Sequence, residues 1–238
     1  MRSKVTQIHR KADGTIEGVT CLRDGEKFFV PCDVLLSSMP LKDLVAGMNG
    51  VPDEIRDIAA GLPYRDYITV GMLVERLTLR VPDHWVYVQG SDVKMGRFVV
   101  YNNWSSALLG DAKSFWLGLE YFCREGDELW SLSDAELAAL AVAELVRKNL
   151  IAAAVEAKDF HVERVRKAYP AYFDTYDRID DLRKFLDASA NLFCIGRNGQ
   201  HRYNNIDHSM CTAFEAVKNI LSGVRDKSNV WSVNPEAV

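Results

Sequence analysis

The sequence predicts a mixed α/β (α+β) fold, in which an antiparallel sheet with helices is inserted into a smaller α/β part. Three observations predict it. Short strands near the N-terminus are joined by Asp13-Gly14 and Asp24-Gly25, dipeptides that favour tight hairpin turns. A central series of strands is rich in β-branched and aromatic residues, which is typical of antiparallel sheets. Residues 192–221 then form a predicted buried strand, polar turn and amphipathic helix in immediate succession.

The individual elements follow from hydrophobic periodicity and turn signals. Strands are predicted at residues 5–8, 16–22, 27–30, 34–36, 67–74, 85–88, 97–101, 115–122, 160–168 and 192–195, and helices near 52–61, 133–150, 179–186 and 206–221. The best-defined helix begins at the capping box Ser133-Asp134-Ala135-Glu136, where the serine oxygen and the glutamate carboxylate satisfy each other's backbone donors. The tail after Gly223 is predicted to be a flexible linker.

Composition and charge narrow the class of protein. With 238 residues, 48% of them hydrophobic, the chain can bury a substantial core. A net charge of −4 gives no electrostatic reason to expect nucleic acid as a partner. We find no secretory signal and no apolar run of membrane-spanning length. The five cysteines are scattered without a C-x-x-C pair, which indicates reduced thiols and a cytoplasmic protein. No metal site is predicted.

The last strand, turn and helix carry the strongest functional signal. The strand ends at Gly196, and residues 197–205 supply polar donors without an aliphatic residue. Apolar residues then recur at the three- and four-residue spacing of one helix face, and they are Ile206, Met210, Ala213, Phe214, Val217, Ile220 and Leu221. Asp207 or Ser209 is expected to cap this helix, and Gly223 to end it. A helix start that faces a polar turn favours a phosphate or an electron-rich ring.

Three motifs resemble FAD-dependent amine-oxidase and protoporphyrinogen-oxidase-like flavoproteins. Gly196-Arg197, followed by residues 201–205 and a helix, is similar to their C-terminal flavin-contacting segment, and is closest to the branch containing UDP-galactopyranose mutase. Residues 32–41 resemble the strand that returns from the substrate region to the flavin domain. Residues 101–105 resemble the N-W-S element that ends a substrate-domain strand. The three motifs occur in the order found in the family.

The resemblance implies a partial FAD/NAD(P)-binding domain, formed by residues 1–45 and 190–238, with a substrate domain at residues 46–189. It implies FAD as the cofactor and a small-molecule substrate. The family's G-x-G-x-x-G dinucleotide turn is missing, because the 15 glycines include no G-x-G pair. We therefore expect a truncated, C-terminal portion of an FAD-dependent oxidoreductase, which is inactive as this chain alone and in which FAD itself can be absent.

Two alternatives remain open. The chain could be a non-catalytic binding or interaction module that has lost FAD, or one half of a UDP-galactopyranose mutase-like isomerase. A separate N-terminal half or a homo-oligomer is expected to cover the face that the missing dinucleotide region leaves open. In the mutase-like turn, an acidic residue stands at the position of Asn205, and its absence here weighs against a mutase-like mechanism.

Site residues are assigned by position in these motifs. The resemblance implies that the cofactor is bound by Ser37, Pro40, Gly196, Arg197, Asn205, Ile206 and Asp207, and the substrate by Arg197, Tyr203, Trp104 and Tyr169. Each has a structural alternative: Arg197 as a surface arginine, the aromatic residues as a half-buried rim. His201 and His208 are expected to be structural or solvent-facing, with His201 also a candidate flavin neighbour. No catalytic residue is assigned.

Overall fold

The computed structural model describes residues 2–79, 81–105, 107, 113–154 and 157–234. The chain forms two compact units, one comprising Met1–Tyr64 with Tyr169–Val238 and the other Arg65–Ala168. Each unit buries its own hydrophobic core. Helices and strands are mixed throughout, so the predicted fold class is confirmed. Within the described ranges, no helix combines the length and the apolar character that a bilayer crossing requires.

The first unit contains two small sheets and most of the helices. Its strands are β1 (Lys4–Arg10), β2 (Ile16–Arg23), β3 (Glu26–Pro31), β4 (Leu35–Ser37) and β10 (Leu192–Cys194). Its helices are α1 (Leu41–Gly47), α2 (Asp53–Gly61), α5 (Ile179–Asp187), α6 (Gly196–Gly199), α7 (Ile206–Ser222) and α8 (Ser228–Trp231). Strands β1, β2 and β3 form an antiparallel meander, whereas β4 and β10 pair in parallel.

The two predicted Asp-Gly turns are present in the meander. Gly14 has φ +90° and Gly25 has φ +86°, values that glycine adopts without a Cβ penalty. The sheet of β4 and β10 is buried on one side by the main core, to which Leu35, Leu192 and Cys194 contribute. Phe193, on the opposite face of β10, packs with Ala216 of α7 and Val230 of α8. Helices α7 and α8 therefore cover the second face of this sheet.

The second unit is an antiparallel sheet with one long helix on it. The strands are β5 (Tyr64–Val74), β6 (Trp85–Tyr87), β7 (Arg97–Val100), β8 (Phe115–Cys123) and β9 (Ala157–Pro170), in the spatial order β6-β7-β8-β5-β9. Helices α3 (Glu128–Ser131) and α4 (Asp134–Arg147) follow β8, and α4 starts at the predicted capping box of Ser133 and Glu136. Leu137, Ala141 and Leu145 of α4 lie in the core against the sheet.

Two features of the first unit differ from the sequence prediction. Helix α1 was not expected; it begins where the carbonyl of Pro40 accepts hydrogen bonds from the N–H groups of Asp43 and Leu44. The tail after Gly223 is not a flexible linker over residues 224–234. It folds back as α8, and the Trp231 indole is buried and donates to Asp187 Oδ1 at 3.0 Å. A single tryptophan supplies enough apolar surface to fix a short segment.

Candidate functional site

The turn between β10 and α7 packs directly on the end of β4. Gly196 has φ +71°, and its N–H donates to Thr212 Oγ1 at 2.9 Å, which ties the turn to α7. Gly199 lies so close to β4 that a Cβ there would be 2.5 Å from the Ser37 carbonyl oxygen. Ile195 N–H also donates to this carbonyl, at 2.9 Å. Glycine at position 199 therefore sets the distance between the turn and the parallel strands.

Arg197 is held by a backbone carbonyl and two aromatic rings. Its Nε donates to the Asn204 carbonyl at 2.8 Å. Its guanidinium carbon lies 4.7 Å from the ring centroid of Tyr203 and 5.3 Å from that of Tyr169. The two rings are nearly parallel, with centroids 5.9 Å apart. Three of the predicted ligand-facing residues are thus brought into one cluster, and the side chain of Arg197 is half-buried. Contact with aromatic faces stabilises a guanidinium while leaving its charge intact.

The start of α7 lies directly after this cluster. The N-cap is Asn205, so the expected cap at Asp207 or Ser209 is wrong, whereas the expected end at Gly223 is confirmed by its φ of +67°. The Asn205 N–H donates to His208 Nδ1 at 3.4 Å, and the Asn205 carbonyl accepts from Ser209 N–H. The side chain of Ile206 is exposed at 81%. A capping box of Asn205 and His208 is present, so one of the first amides of α7 is already bonded within the protein. The positive end of the helix dipole lies at this start.

Residues 230–234 are hydrogen-bonded to the turn. Gln200 is buried, and its amide nitrogen donates to the Val230 carbonyl at 2.9 Å. Arg202 donates to the Trp231 carbonyl at 2.7 Å. Asn234 donates to the Tyr203 carbonyl and to Asn204 Oδ1, both at 3.1 Å. The conformation of the turn thus depends on residues 230–234, and no sequence pattern pointed to this dependence.

His201 is the buried titratable group of the turn. Its backbone has φ +47°, and its ring packs edge-on against Tyr64 with centroids 4.7 Å apart. The Nε2 atom lies 3.0 Å from the Ala171 carbonyl, which can only accept, so Nε2 carries the proton. Among the described residues, Nδ1 has no hydrogen-bond partner. Burial lowers the pKa of His201, because a charged ring would place an unpaired donor in the core. The expected structural role fits this environment.

A stability loss at mildly acidic pH is expected from His201. Its folded-state pKa is lowered, so protons bind preferentially to the unfolded chain. The neutral ring of His201 therefore makes its full contribution to the free energy of unfolding above pH about 6.5. That contribution is lost as the pH falls through the folded-state pKa, by at most about 1.4 kcal/mol per pH unit. Urea unfolding between pH 7.5 and 5.5 measures this slope. We expect a flatter slope in His201→Gln and an unchanged one in His161→Gln, whose side chain is exposed. Equal slopes in wild type and His201→Gln would contradict the burial of a neutral imidazole.

The remaining predicted site residues are placed as follows. Ser37 is buried, and its hydroxyl accepts from Met39 N–H at 3.4 Å. Pro40 is the N-cap of α1. Both residues therefore serve the junction of β4 and α1. Trp104 belongs to the second unit, where its ring packs edge-on against Trp85 with centroids 5.0 Å apart. It follows a 3₁₀ turn, Tyr101–Asn103, at the end of β7.

Next to Trp104 is a buried ion pair that the sequence analysis missed. Arg97 Nε donates to Glu120 Oε2 at 2.8 Å on adjacent strands, and both side chains are buried. The guanidinium carbon lies 5.0 Å from the ring of Trp85 and 5.6 Å from that of Tyr87. A signal was available: in β8, period two places Glu120 on the face opposite the core residues, in an otherwise apolar strand. A charge in that position indicates a partner on the neighbouring strand.

Several solved structures are similar to this chain in fold. No protein-family model matches it, and no curated protein is detectably similar in sequence. A reduced UDP-galactopyranose mutase is 20% identical with a TM-score of 0.79, covering 96% of this chain and 49% of that chain. A triple mutant of putrescine oxidase is 17% identical with a TM-score of 0.63, covering 93% and 48%. A protoporphyrinogen oxidase-like protein from Exiguobacterium sp. 255-15 is 15% identical with a TM-score of 0.62, covering 91% and 46%.

These comparisons concern the fold. The structural neighbours are the mutase, the protoporphyrinogen oxidase-like protein and the amine oxidase to which the three sequence motifs pointed, so the resemblance is confirmed at that level. The chain spans about half the length of each of them. It therefore has the fold of about half of each of these proteins.

Proposed function

We propose that this chain provides the ring-facing and substrate-facing portion of an FAD-dependent oxidoreductase, whose dinucleotide-binding portion is supplied by other residues. The observation that supports this most is the Arg197 cluster at the start of α7, where a fixed cation, two aromatic rings and the first turn of a 17-residue helix meet. A helix start and an arginine both favour a ligand with negative charge. Flat aromatic side chains suit a flat ligand. An isoalloxazine ring has both properties.

The donor set of the turn fits FAD at its ring end. The amides of Ile206 and Asp207 open α7 directly after the turn. The buried Nδ1 of His201 has no partner among the described residues and can accept a hydrogen bond. For the pyrophosphate end the fit is poor, because no G-x-G turn is present in the sequence. The chain thus fits one end of the cofactor.

Each residue of the cluster has a distinct proposed task. FAD, when bound, supplies the redox chemistry. Arg197 holds a positive charge beside the α7 start, and its contact with the Asn204 carbonyl fixes the direction of the guanidinium. Tyr203 is half-exposed and offers its ring face to a substrate, with Tyr169 stacked behind it. Asn205 and Asp207 act through the backbone at the α7 start, while Ser37 and Pro40 position the end of β4 and the start of α1.

The Arg197 cluster is compatible with more than one class of substrate. Arg197, Tyr203 and Tyr169 suit an aromatic or anionic small molecule. Trp104 lies in the second unit, and its substrate contact is proposed from the motif resemblance alone. We assign residues 1–45 and 190–238 to the flavin portion and 46–189 to the substrate portion. The compact units change over at Tyr64 and Tyr169 instead, so residues 46–64 and 169–189 are structurally part of the first unit.

The two alternative functions, a binding module without FAD and a mutase-like isomerase half, predict different roles for Arg197. A binding module that has lost FAD needs no positive charge at position 197 for a flavin. A mutase-like isomerase half needs an anionic sugar nucleotide to bind beside Arg197, and Asn205 replaces the acid found in the resembling motif. Binding measurements with defined probes separate these functions.

Riboflavin binding is expected to depend on Arg197. Riboflavin carries the ring without the adenine nucleotide, so the proposal predicts that the chain binds riboflavin, especially when it is reduced with dithionite, and does not bind ADP. Arg197→Met removes one charge at a half-buried site, and we expect affinity for the reduced form to fall about 5- to 30-fold, corresponding to about 1–2 kcal/mol. Absorbance titration near 450 nm for the oxidised form and anaerobic titration for the reduced form measure it.

Arg23→Met is the matched control. Arg23 also contacts an aromatic ring, that of Phe28 at 4.9 Å, but lies in the meander. Its replacement should leave riboflavin affinity unchanged. Wild-type protein that binds neither oxidised nor reduced riboflavin, or that binds ADP more tightly than riboflavin, would contradict the proposal. Binding of a uridine diphosphate sugar that is lost in Arg197→Met would favour the mutase-like alternative.

A further inference from the structure

The outer face of α7 is an exposed apolar stripe. Ile206 is 81% exposed, Phe214 62% and Leu221 82%. Met210 and Val217 complete the stripe, and they are also exposed. Their spacing of three and four residues places all five on one side of the helix. Isolated exposed apolar residues are ordinary on protein surfaces, whereas a continuous row along a helix of 17 residues indicates a binding surface.

The inner face of α7 is already used. Ala216 is fully buried and packs with Phe193 of β10 and Val230 of α8. Helix α7 therefore covers the β4–β10 sheet with one side and leaves the stripe on another. Leu36 of β4 pairs in register with Phe193, so it points to the same side of the sheet as α7. It is exposed at 38%, so this side of the sheet is only partly covered.

The sheet beneath α7 is incomplete by the usual rules for parallel sheets. It consists of β4 and β10, each of three residues, and in the described part of the chain each pairs with just one other strand. Parallel sheets are normally built from several strands with helices on both faces. A two-stranded sheet is only marginally stable in water. On β10, the Leu192 N–H already donates to the Ser189 carbonyl and the Cys194 carbonyl already accepts from Gln200. The outer edge of β4 is therefore the one that offers backbone groups to another strand.

We propose that the α7 stripe and the edge of the β4–β10 sheet form a docking surface for the complementary portion of the same fold. The partner adds a strand parallel to β4, and an amphipathic helix that packs beside α7 and over Leu36. This inference rests on the proposed function in taking the partner to be the dinucleotide-binding portion. The extent of the structural match supports it: 96% of this chain is covered, but only 49% of the mutase chain.

A second copy of this chain is a weaker occupant. A two-fold dimer joins identical surfaces. When its axis is perpendicular to the sheet, identical edge strands meet antiparallel, so a second copy does not extend a parallel sheet. It would cover the stripe but leave the sheet edge unfinished. The complementary portion satisfies both features at once.

The test uses the full chain and a defined probe polypeptide. The probe is the part of UDP-galactopyranose mutase outside the structural match, co-expressed with this chain and purified through a tag on this chain. Cys211 is the reporter, since it is an exposed thiol on α7 beside Met210. We expect a one-to-one heterodimer in which the rate of Cys211 alkylation falls at least fivefold. Phe214→Glu should abolish the heterodimer, and Val146→Glu, on the exposed side of α4, should retain it.

The other outcomes overturn the proposal. A homodimer of this chain, lost in Phe214→Glu, would show that a second copy occupies the stripe. A monomer in which Cys211 is alkylated equally fast with and without the probe would show that the surface does not dock this portion. Circular dichroism and thermal unfolding establish that Phe214→Glu remains folded, as expected for an exposed residue.

Failure of docking and failure of the proposed function are distinguishable. The docking experiment has no flavin readout, while the riboflavin titration uses this chain alone. A heterodimer without riboflavin binding would leave the docking surface standing and remove the ring-facing role. Riboflavin binding that depends on Arg197, without a heterodimer, would support the ring-facing role and remove the docking surface.

Discussion

Replacing Gly199 by Ala is expected to destabilise the first unit by about 3 kcal/mol and to abolish riboflavin binding. The added Cβ would lie 2.5 Å from the Ser37 carbonyl oxygen and 3.2 Å from the Ser38 Cα. Both neighbours are backbone atoms of the β4 end, so no side-chain rotation relieves the clash. The turn must move away from the sheet, and the Arg197 cluster moves with it. Urea unfolding and the riboflavin titration measure the two effects.

Gly71→Ala is the matched control for this substitution. A Cβ at position 71 would make ordinary contacts, the nearest at 3.6 Å from the His161 carbonyl. We expect a change of less than about 1 kcal/mol and unchanged riboflavin binding. If Gly199→Ala unfolded at the wild-type urea concentration, the close approach of the turn to β4 would not exist in solution.

The largest stability loss in the second unit is expected from Glu144→Ala. Glu144 lies on α4, is buried, and accepts hydrogen bonds from the N–H groups of Lys94 and Met95 and from the hydroxyl of Tyr121. Removing the carboxylate leaves three donors without an acceptor, and two of them, the Met95 N–H and the Tyr121 hydroxyl, are buried. Each unsatisfied buried donor costs about 1–3 kcal/mol, so we expect a loss of about 3–5 kcal/mol in the free energy of unfolding.

Urea denaturation followed by circular dichroism measures this loss. Glu136→Ala is a suitable comparison, because Glu136 lies on the same helix and accepts hydrogen bonds only at its exposed capping box. Its replacement should destabilise much less. A loss in Glu144→Ala no larger than that in Glu136→Ala would show that the three donors find other acceptors, such as water.

Features determined by neighbouring residues were predictable from the sequence. The hairpin turns depend on glycine at φ values near +90°, and the start of α4 depends on two side chains three residues apart. The position of Arg197 beside Tyr203 followed from motif resemblance, and the structure brings them together. The mutual stacking of Tyr169 and Tyr203 was not expected, because they are distant in sequence.

Features determined by long-range packing were not predictable. The Arg97–Glu120 pair depends on the register of β7 and β8, which the sequence pattern did not specify. Helix α8 depends on the burial of Trp231 against the first unit. The apolar pattern of α7 predicted which residues share one face of the helix. Periodicity does not show whether such a face is buried within the chain or exposed, and here most of it is exposed.

The bonds from the turn to residues 230–234 have a consequence for the order of folding. The carbonyl groups of Val230 and Trp231 accept from Gln200 and Arg202, which lie about 30 residues earlier in the chain. Strands β4 and β10 are both synthesised before residues 230–234, so they can pair while the turn still lacks these bonds. The turn therefore reaches its final conformation later than the two strands beside it.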